Sequence, residues 1–567
     1  MEIKIRIAGA AGQGIQTTAE LLARILLRTG LHVLSYSDAE SRIRGGLNFS
    51  HIRASDEPVI GISQRFDILL AQSPEAVRAF SGGISNTGVL IGFSSSCDEK
   101  ASPLDLDELA KRAGNLKASG VVGVGAICSL LKISRKMLLD TVKEHFKRNS
   151  NLVQLNVKAI QEGYDAVVAW KQHPEHFAIE HVNDKEERLL VYGHQAISLG
   201  AIAGGVSFVA GYPMSPATSI LTDLATWSEQ TGIVVEQAED EIAAINMLAG
   251  ASFSGARSMT ATSGGGFCLM TEGVSLLGMI ETPGVIVVAQ RPGPATGLPT
   301  RTAQGDLNLV LHAGHGFFPR LIFAPATVED GFEMTARAFD LAERFGVVVF
   351  ILTDQLLQDS QSSVESFETR NLPRSRHLLS KEKLSLLKSY DRFLQTSDGV
   401  SPQAAPGSSR HVVVVDSDEH DERGHLTESR LMSQKMSKKR IRKAQTIHDF
   451  SWFSKPILEG FSRGAPLVIS WGSTYGTICE IRKTMEAQNK KFSHLHLRQL
   501  WPLDERHLVS ILDQASHITV VENNTDGQLA DLLKKSGLRS ADNLITRHDG
   551  RPFSVEDLTD NIQEVLK

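Results

Sequence analysis

The feature that most constrains the fold of this chain is a repeated alternation of short apolar runs with stretches of helical spacing. Phe208–Ala210, Ile233–Val235, Ser258–Thr262, Val285–Ala289, Leu321–Ala324 and Val347–Leu352 succeed one another in this way. Except in Ser258–Thr262, their apolar residues stand at consecutive positions rather than alternate ones. That is the pattern of strands covered on both faces, and such strands belong to parallel sheets with helices above and below. The same alternation appears earlier, at Ile3–Ile7, Ile68–Ala71, Val89–Gly92 and Val121–Ile127, and later, at Leu467–Trp471 and Ile518–Val521. The expected fold class is α/β, with three consecutive α/β domains built on mainly parallel sheets.

A chain of 567 residues has room for several domains. The polar stretch His173–Glu187 marks one boundary. The polar, serine-rich, proline-containing stretch Thr353–Ser408 reads as a linker with a helical insert at Lys381–Thr396. The expected domains are therefore residues 1–180, 188–360 and 409–567, joined by a linker over 361–408, with the last block starting near His411–Val415. Hydrophobic residues make up 41% and charged residues 22%, which excludes wholesale disorder. Lysine and arginine number 59 against 65 acidic residues, a balance that gives no support to a nucleic-acid partner. No apolar run approaches the ~18 residues of a spanning helix, and MEIKIRIAGAAGQGI reads as a strand rather than a leader. A cytoplasmic chain with no membrane partner is expected.

The four cysteines, Cys97, Cys128, Cys268 and Cys479, are scattered with no C-x2-C pair. Neither a disulfide framework, a zinc site nor an iron–sulfur cluster held by this chain alone is expected. After the first strand comes Gly9-Ala10-Ala11-Gly12-Gln13-Gly14, then a helical pattern over Thr17–Leu27. Strand, glycine turn and helix suit a phosphate-binding βα unit, because backbone N–H groups at a helix start face an anion. The spacing is G-x-x-G-x-G rather than G-x-G-x-x-G, and a tight turn without ligand gives the same pattern. Arg42 and Arg44, beside Gly45-Gly46, suit a phosphate-bearing ligand equally as well as a solvated loop. Six basic residues between Gln434 and Gln445 read as a solvated helix face.

Four motifs then occur in order. They are Gly211-Tyr212-Pro213-Met214-Ser215-Pro216-Ala217-Thr218-Ser219, Glu239-Asp240-Glu241-Ile242-Ala243-Ala244, Thr262-Ser263-Gly264-Gly265-Gly266 and Arg291-Pro292-Gly293-Pro294-Ala295-Thr296-Gly297-Leu298-Pro299-Thr300. Together they resemble the alpha subunit of the 2-oxoacid:ferredoxin oxidoreductases, and nearly the whole chain resembles the fused gamma–alpha type. The resemblance implies a gamma-like domain, a thiamine-pyrimidine-binding domain and a transketolase-C-like domain. It implies that Glu241 hydrogen-bonds N1′ of thiamine diphosphate, a role suited to a carboxyl in a largely apolar pocket. Tyr212, Pro213 and Ser215 are implied to line the cofactor. Arg291, with a planar guanidinium suited to a carboxylate, is the candidate for the 2-oxoacid, with Ser215 and Thr300 also contacting substrate. Ser215 stands where the family has threonine, Met214 where it has isoleucine and Ala217 where it has serine.

Gly-Asp-Gly, the usual mark of a Mg²⁺ and diphosphate site, does not occur; the nearest match is His548-Asp549-Gly550. The resemblance implies that a separate beta subunit supplies the diphosphate site, Mg²⁺ and a [4Fe–4S] cluster, in a dimer of heterodimers. It further implies ferredoxin as electron acceptor and coenzyme A as co-substrate, with Gly12, Gly14, Arg42 and Arg44 as candidate contacts to its phosphates. The implied activity is oxidative decarboxylation of a 2-oxoacid, with 2-oxoglutarate favoured over pyruvate or a branched-chain acid; a scaffold subunit of the same fold is the rival. His312 and His315 read as structural loop residues, and His420, Asp421 and His425 as a loop hydrogen-bond network.

Overall fold

The computed structural model describes the chain except residues 41–45, 93–101, 103, 148, 172, 180–186, 451–453 and 567. The fold is α/β throughout, and the contacts divide it into two compact units. The first comprises Met1–Tyr192 with Asp359–Ser366 and Ser554–Glu556; the second comprises Gly193–Gln358, Phe367–Phe553 and Asp557–Lys567.

The first unit is built on a seven-stranded sheet in the order Ile84–Gly92, Phe66–Ala71, Glu2–Ala10, Leu47–Ser55, His32–Ala39, Gln361–Val364 and Leu189–Tyr192. Glu2–Ala10 pairs parallel with Phe66–Ala71 and antiparallel with Leu47–Ser55, so this sheet is mixed. Val121–Ile127 is not a strand. It lies inside the helix Ser119–Leu130, whose residues are buried almost all round. A run that is apolar on every side looks the same in a buried strand and a buried helix. Glycine settles it here: a Cβ on Gly125 would fall 2.1 Å from the Ile160 carbonyl oxygen, and one on Gly163 would fall 1.9 Å from that of Val122. The helix therefore lies backbone to backbone against Ser150–Ala169.

The second unit holds two sheets. The larger runs Gln499–Trp501, Arg320–Phe323, Val348–Asp354, Gly284–Gln290, Ser258–Thr262, Phe208–Gly211 and Val234–Gln237. All its neighbours are parallel except the first pair, which is antiparallel. The smaller runs Ile457–Glu459, Ser493–Leu497, Leu467–Trp471, Ile518–Glu522 and Asn543–Thr546, with only the Ile457–Glu459 edge antiparallel. One apolar cluster joins Ile286, Val288, Phe350 and Leu352 to Leu467, Ile469, Trp471 and Val520. The stretches 188–360 and 409–567 thus share a core within this unit.

The stretch expected to be a loose linker is packed. Gln361–Val364 is a sheet strand of the first unit, and Leu384 and Phe393 are fully buried. Its helix covers only Lys381–Leu386, not the expected Lys381–Thr396. Widely spaced apolar anchors among polar residues leave no periodic signal. His411–Val415 forms no strand, and Val412 is 78% exposed. The basic segment lies on the helix Arg430–Asp449, but it is not simply a solvated face. Lys439 and Lys443, spaced one turn apart, are 0% and 1% exposed and converge on Glu281.

Candidate active site

Topology brings the four motifs together. Gly284–Gln290, Ser258–Thr262, Phe208–Gly211 and Val234–Gln237 are successive neighbours in the larger sheet of the second unit, all parallel. Arg291, Ser263–Gly266 and Tyr212–Pro216 follow their carboxyl ends directly, and Asp240–Glu241 follow Gln237 after two residues. The carboxyl edge is where open α/β sheets hold ligands, because the following helices start there with free N–H groups.

Asp240 and Glu241 divide the work at the start of the helix Glu241–Phe253. Asp240 is the N-cap, its Oδ1 accepting from the Ala243 backbone N–H at 2.7 Å. The helix start is therefore already satisfied, and Glu241 is free for another partner. Its side chain is 2% exposed, and Oε1 accepts from the Thr262 hydroxyl at 3.3 Å. No other side chain among the described residues hydrogen-bonds this carboxylate. The glycines of Thr262–Gly266 make room for it. A Cβ on Gly266 would lie 2.2 Å from Glu241 Oε1.

Arg291 is 9% exposed. One terminal nitrogen donates to the Ser215 carbonyl at 2.9 Å, the other lies 3.6 Å from the Met214 sulfur, and Nε is buried without a partner. Burial lowers its pKa, opposed by the charge of Asp306. Asp306, absent from the sequence-based expectations, belongs to the same cluster. Its backbone N–H donates to Gln290 Oε1 at 3.0 Å, and its Oδ2 is buried without a partner. A Cβ on Gly264 would fall 2.3 Å from that oxygen. Burial pushes the Asp306 carboxyl up to about 6, against the pull of Arg291. The signal that points to it in sequence is Gly264 itself: of three successive glycines, two give space to carboxylates from distant segments.

Residues 199–439 match the family described as pyruvate flavodoxin/ferredoxin oxidoreductase, thiamine diphosphate-binding, and residues 4–166 that described as pyruvate ferredoxin/flavodoxin oxidoreductase. A 2-oxoacid:ferredoxin oxidoreductase alpha subunit of a Sulfolobus species is 29% identical over all of this chain and 97% of its own. The 2-oxoglutarate synthase subunit KorA of Methanothermobacter thermautotrophicus is 31% identical over 60% of this chain and 88% of its own. The chain belongs to the 2-oxoacid:ferredoxin oxidoreductases. A solved 2-oxoglutarate:ferredoxin oxidoreductase from Magnetococcus marinus, with 2-oxoglutarate, coenzyme A and succinyl-CoA bound, matches all of both chains at a TM-score of 0.92 and 29% identity.

For a 2-oxoacid:ferredoxin oxidoreductase, the residues present suit an aminopyrimidine and an anionic substrate. The buried Glu241 carboxylate has a single side-chain donor, and Arg291 Nε, Asp306 Oδ2 and the Ser263 hydroxyl are buried polar atoms without protein partners. Such atoms cost free energy unless a ligand or water satisfies them. Ser215 enters the cluster through its carbonyl, while Tyr212 and Pro213 are exposed on the same loop. Thr300 is half-buried at the end of a largely exposed loop, and no hydrogen bond ties it to the cluster. Gly12 and Gly14 lie in the first unit at φ of 93° and 73°, and Gly14 opens the helix Ile15–Arg28. Arg42 and Arg44 lie outside the described residues. His312 and His315 are exposed, and His420 is buried against Phe393 with Nδ1 on the Asp418 carbonyl. Among the described residues no helix is long and apolar enough to cross a membrane.

Proposed function

We propose that this chain is the catalytic alpha subunit of an enzyme that oxidatively decarboxylates 2-oxoglutarate, with thiamine diphosphate, coenzyme A and ferredoxin. The observation that carries the reading is the buried Glu241 carboxylate, with a single side-chain donor, on the same sheet edge as the half-engaged Arg291. Bound thiamine diphosphate supplies an electron sink for the bond to carbon dioxide. Glu241 holds a proton on the pyrimidine N1′, and its burial keeps bulk water from competing for that proton. Arg291 offers Nε and the remaining face of its guanidinium to the 2-oxoacid carboxylate. The same side chain grips the Ser215 carbonyl, so substrate binding and the position of the Tyr212–Pro216 loop are coupled. Thr300 completes the substrate pocket in this reading. The 2-oxoglutarate preference draws on the KorA relative and the Magnetococcus marinus enzyme, both named for that acid.

Diphosphate, Mg²⁺ and the [4Fe–4S] cluster are assigned to a beta subunit, in a dimer of heterodimers that passes electrons to ferredoxin. Large apolar side chains are exposed on the very segments that carry the site: Tyr212, Ile242 and Leu298. Such a surface suits a covering polypeptide rather than water. The glycine turn of the first unit, with Arg42 and Arg44, is assigned to coenzyme A phosphates; charge reversal at both arginines should raise the KM for coenzyme A selectively.

The test is the co-purified αβ complex assayed across a panel of 2-oxoacids. Glu241→Gln should keep cofactor binding and lose roughly 10²–10⁴ in turnover. Arg291→Ala should raise the KM for the 2-oxoacid about 10-fold or more, the worth of a charge-assisted hydrogen bond. Near-normal turnover in both variants would overturn the proposal, and a parent complex that prefers pyruvate would overturn the substrate assignment.

A further inference from the structure

The interface between a helix and the sheet it covers is normally apolar. In the smaller sheet of the second unit one such interface is polar. Glu459, on the edge strand Ile457–Glu459, stands directly opposite His494 on Ser493–Leu497. The covering helix, Tyr475–Ala487, presents Tyr475, Cys479 and Arg482 along one stripe at helical spacing. Ser470 and His496 are register partners on adjacent parallel strands. His494 is 0% and Cys479 1% exposed, and the thiol is free. Burying a thiol and two imidazoles in one layer, beside a half-buried carboxylate, gives up apolar packing with no gain that the fold itself requires.

Three different ligand atoms converge there. A carboxylate oxygen of Glu459, Cys479 Sγ and a ring nitrogen of His494 all lie within 4.8 Å of one another. Cys479 Sγ is 3.7 Å from His494 Nδ1. A tetrahedral zinc ion, with bonds of about 2.3 Å to sulfur and 2.0–2.1 Å to nitrogen, needs those atoms about 3.6 Å apart. Supporting hydrogen bonds orient the set. His494 Nε2 lies 2.8 Å from the Ser470 hydroxyl, which lies 2.8 Å from His496 Nδ1. With Nε2–H donating to Ser470, and Ser470 donating to His496, the His494 Nδ1 lone pair faces Cys479. A metal-bound histidine is oriented in this way, its second nitrogen fixed by a neighbour. The Tyr475 hydroxyl donates to Glu459 Oε1 at 3.0 Å. Arg482, 3.4 Å from Glu459 Oε2, is balanced by Glu486 at 2.9 Å.

We propose that Glu459, Cys479 and His494 bind one divalent cation of the zinc class, with water as the fourth ligand, clamping the edge strand and the helix Tyr475–Ala487 to His494. Ligation releases the thiol proton to solvent, and the thiolate and carboxylate together neutralise the cation. The site needs no C-x2-C motif, because its ligands come from two strands and a helix.

The full-length chain, stripped with a chelator, is titrated with Co²⁺ and then with Zn²⁺. The expected result is one equivalent of bound Co²⁺ with a thiolate-to-cobalt charge-transfer band and tetrahedral visible bands, both bleached by Zn²⁺. Cys479→Ser should abolish the charge-transfer band, and Cys268→Ser, at an exposed thiol, should leave it unchanged. Ser470→Ala should weaken Co²⁺ binding about 10–100-fold while keeping the band. If Cys479→Ser fails to fold, Glu459→Gln carries the test, since it keeps the thiol and should also weaken binding. A folded parent with no charge-transfer band, a band that survives Cys479→Ser, or unchanged affinity in both Glu459→Gln and Ser470→Ala would overturn the proposal.

Discussion

Glu281→Gln should strongly destabilise the fold, because it unpairs two buried lysines. Glu281 is nearly fully buried and holds Lys439 Nζ at 2.6 and 2.8 Å and Lys443 through Oε2. Arg392 packs beside them, donating to the carbonyls of Ile280 and Glu281 at 3.0 and 2.7 Å. Glu281 also sits at φ +48°, in the left-handed region just past the helix Gly264–Met279, where glycine is usual. That backbone costs about 1–2 kcal/mol for a side-chain-bearing residue. Glutamine keeps the backbone cost and nearly the same shape but removes the one carboxylate that both buried ammoniums contact among the described residues. Breaking a buried pair in this way costs about 3–5 kcal/mol, a large share of the 5–15 kcal/mol that holds a typical fold together. Lys439→Met should cost far less, about 1 kcal/mol, because a one-to-one pair of Glu281 and Lys443 survives it. Burial pushes the pKa of both lysines down, Lys439 to about 7, against the pull of Glu281. Burial would raise Glu281, but Lys443 and Lys439 outweigh it and hold the carboxyl well below its ordinary range. A depressed carboxyl stabilises the fold above its unfolded pKa, so the contribution erodes as pH falls below 4.5. Urea unfolding at pH 7, followed by tryptophan fluorescence and circular dichroism, measures both variants. A Glu281→Gln loss under about 1 kcal/mol, or a Lys439→Met loss as large as that of Glu281→Gln, would refute the reasoning.

Asp306→Asn should change the pH dependence of stability. A carboxyl raised from 3.8 to about 6 in the fold stabilises fully below 3.8 and loses that contribution as pH rises through 6, so above pH 6 the variant should gain up to about 3 kcal/mol on the parent, read by thermal unfolding across pH. Gly266→Ala should fold with a loss of about 1–3 kcal/mol from overpacking, yet lose turnover as severely as Glu241→Gln, because the new Cβ occupies the place of the Glu241 carboxylate. Gly163→Ala should separate two helices held at backbone contact and lower the unfolding midpoint of the first unit by more than a surface alanine would.

The parallel core strands Gly284–Gln290 and Val348–Asp354 are legible in the sequence because burial on both faces writes an unbroken apolar run. The order of the four motifs likewise points to one sheet edge, since each follows a strand. Val121–Ile127 misleads for the same reason that the strands are clear: complete burial erases periodicity in a helix too. Only the small residues at Gly125 and Gly163 distinguish it, and their meaning depends on a partner helix far along the chain. The inward-facing Lys439 and Lys443 are hidden in a basic run whose other members are paired or solvated at the surface. Asp306 is invisible for a different reason. Its role arises from where the chain returns to the sheet edge, and the only local trace is the glycine that yields to it.

The strand Gln361–Val364 sits between His32–Ala39 and Leu189–Tyr192, although it is encoded some 170 residues after the latter. A fragment cut after Tyr192 would leave His32–Ala39 with a raw, unpaired hydrogen-bonding edge, an invitation to self-association. Dissecting this protein at its apparent domain border therefore removes a stave from the middle of a sheet; a soluble amino-terminal piece has to carry that short peptide with it, by circular permutation or by supply in trans.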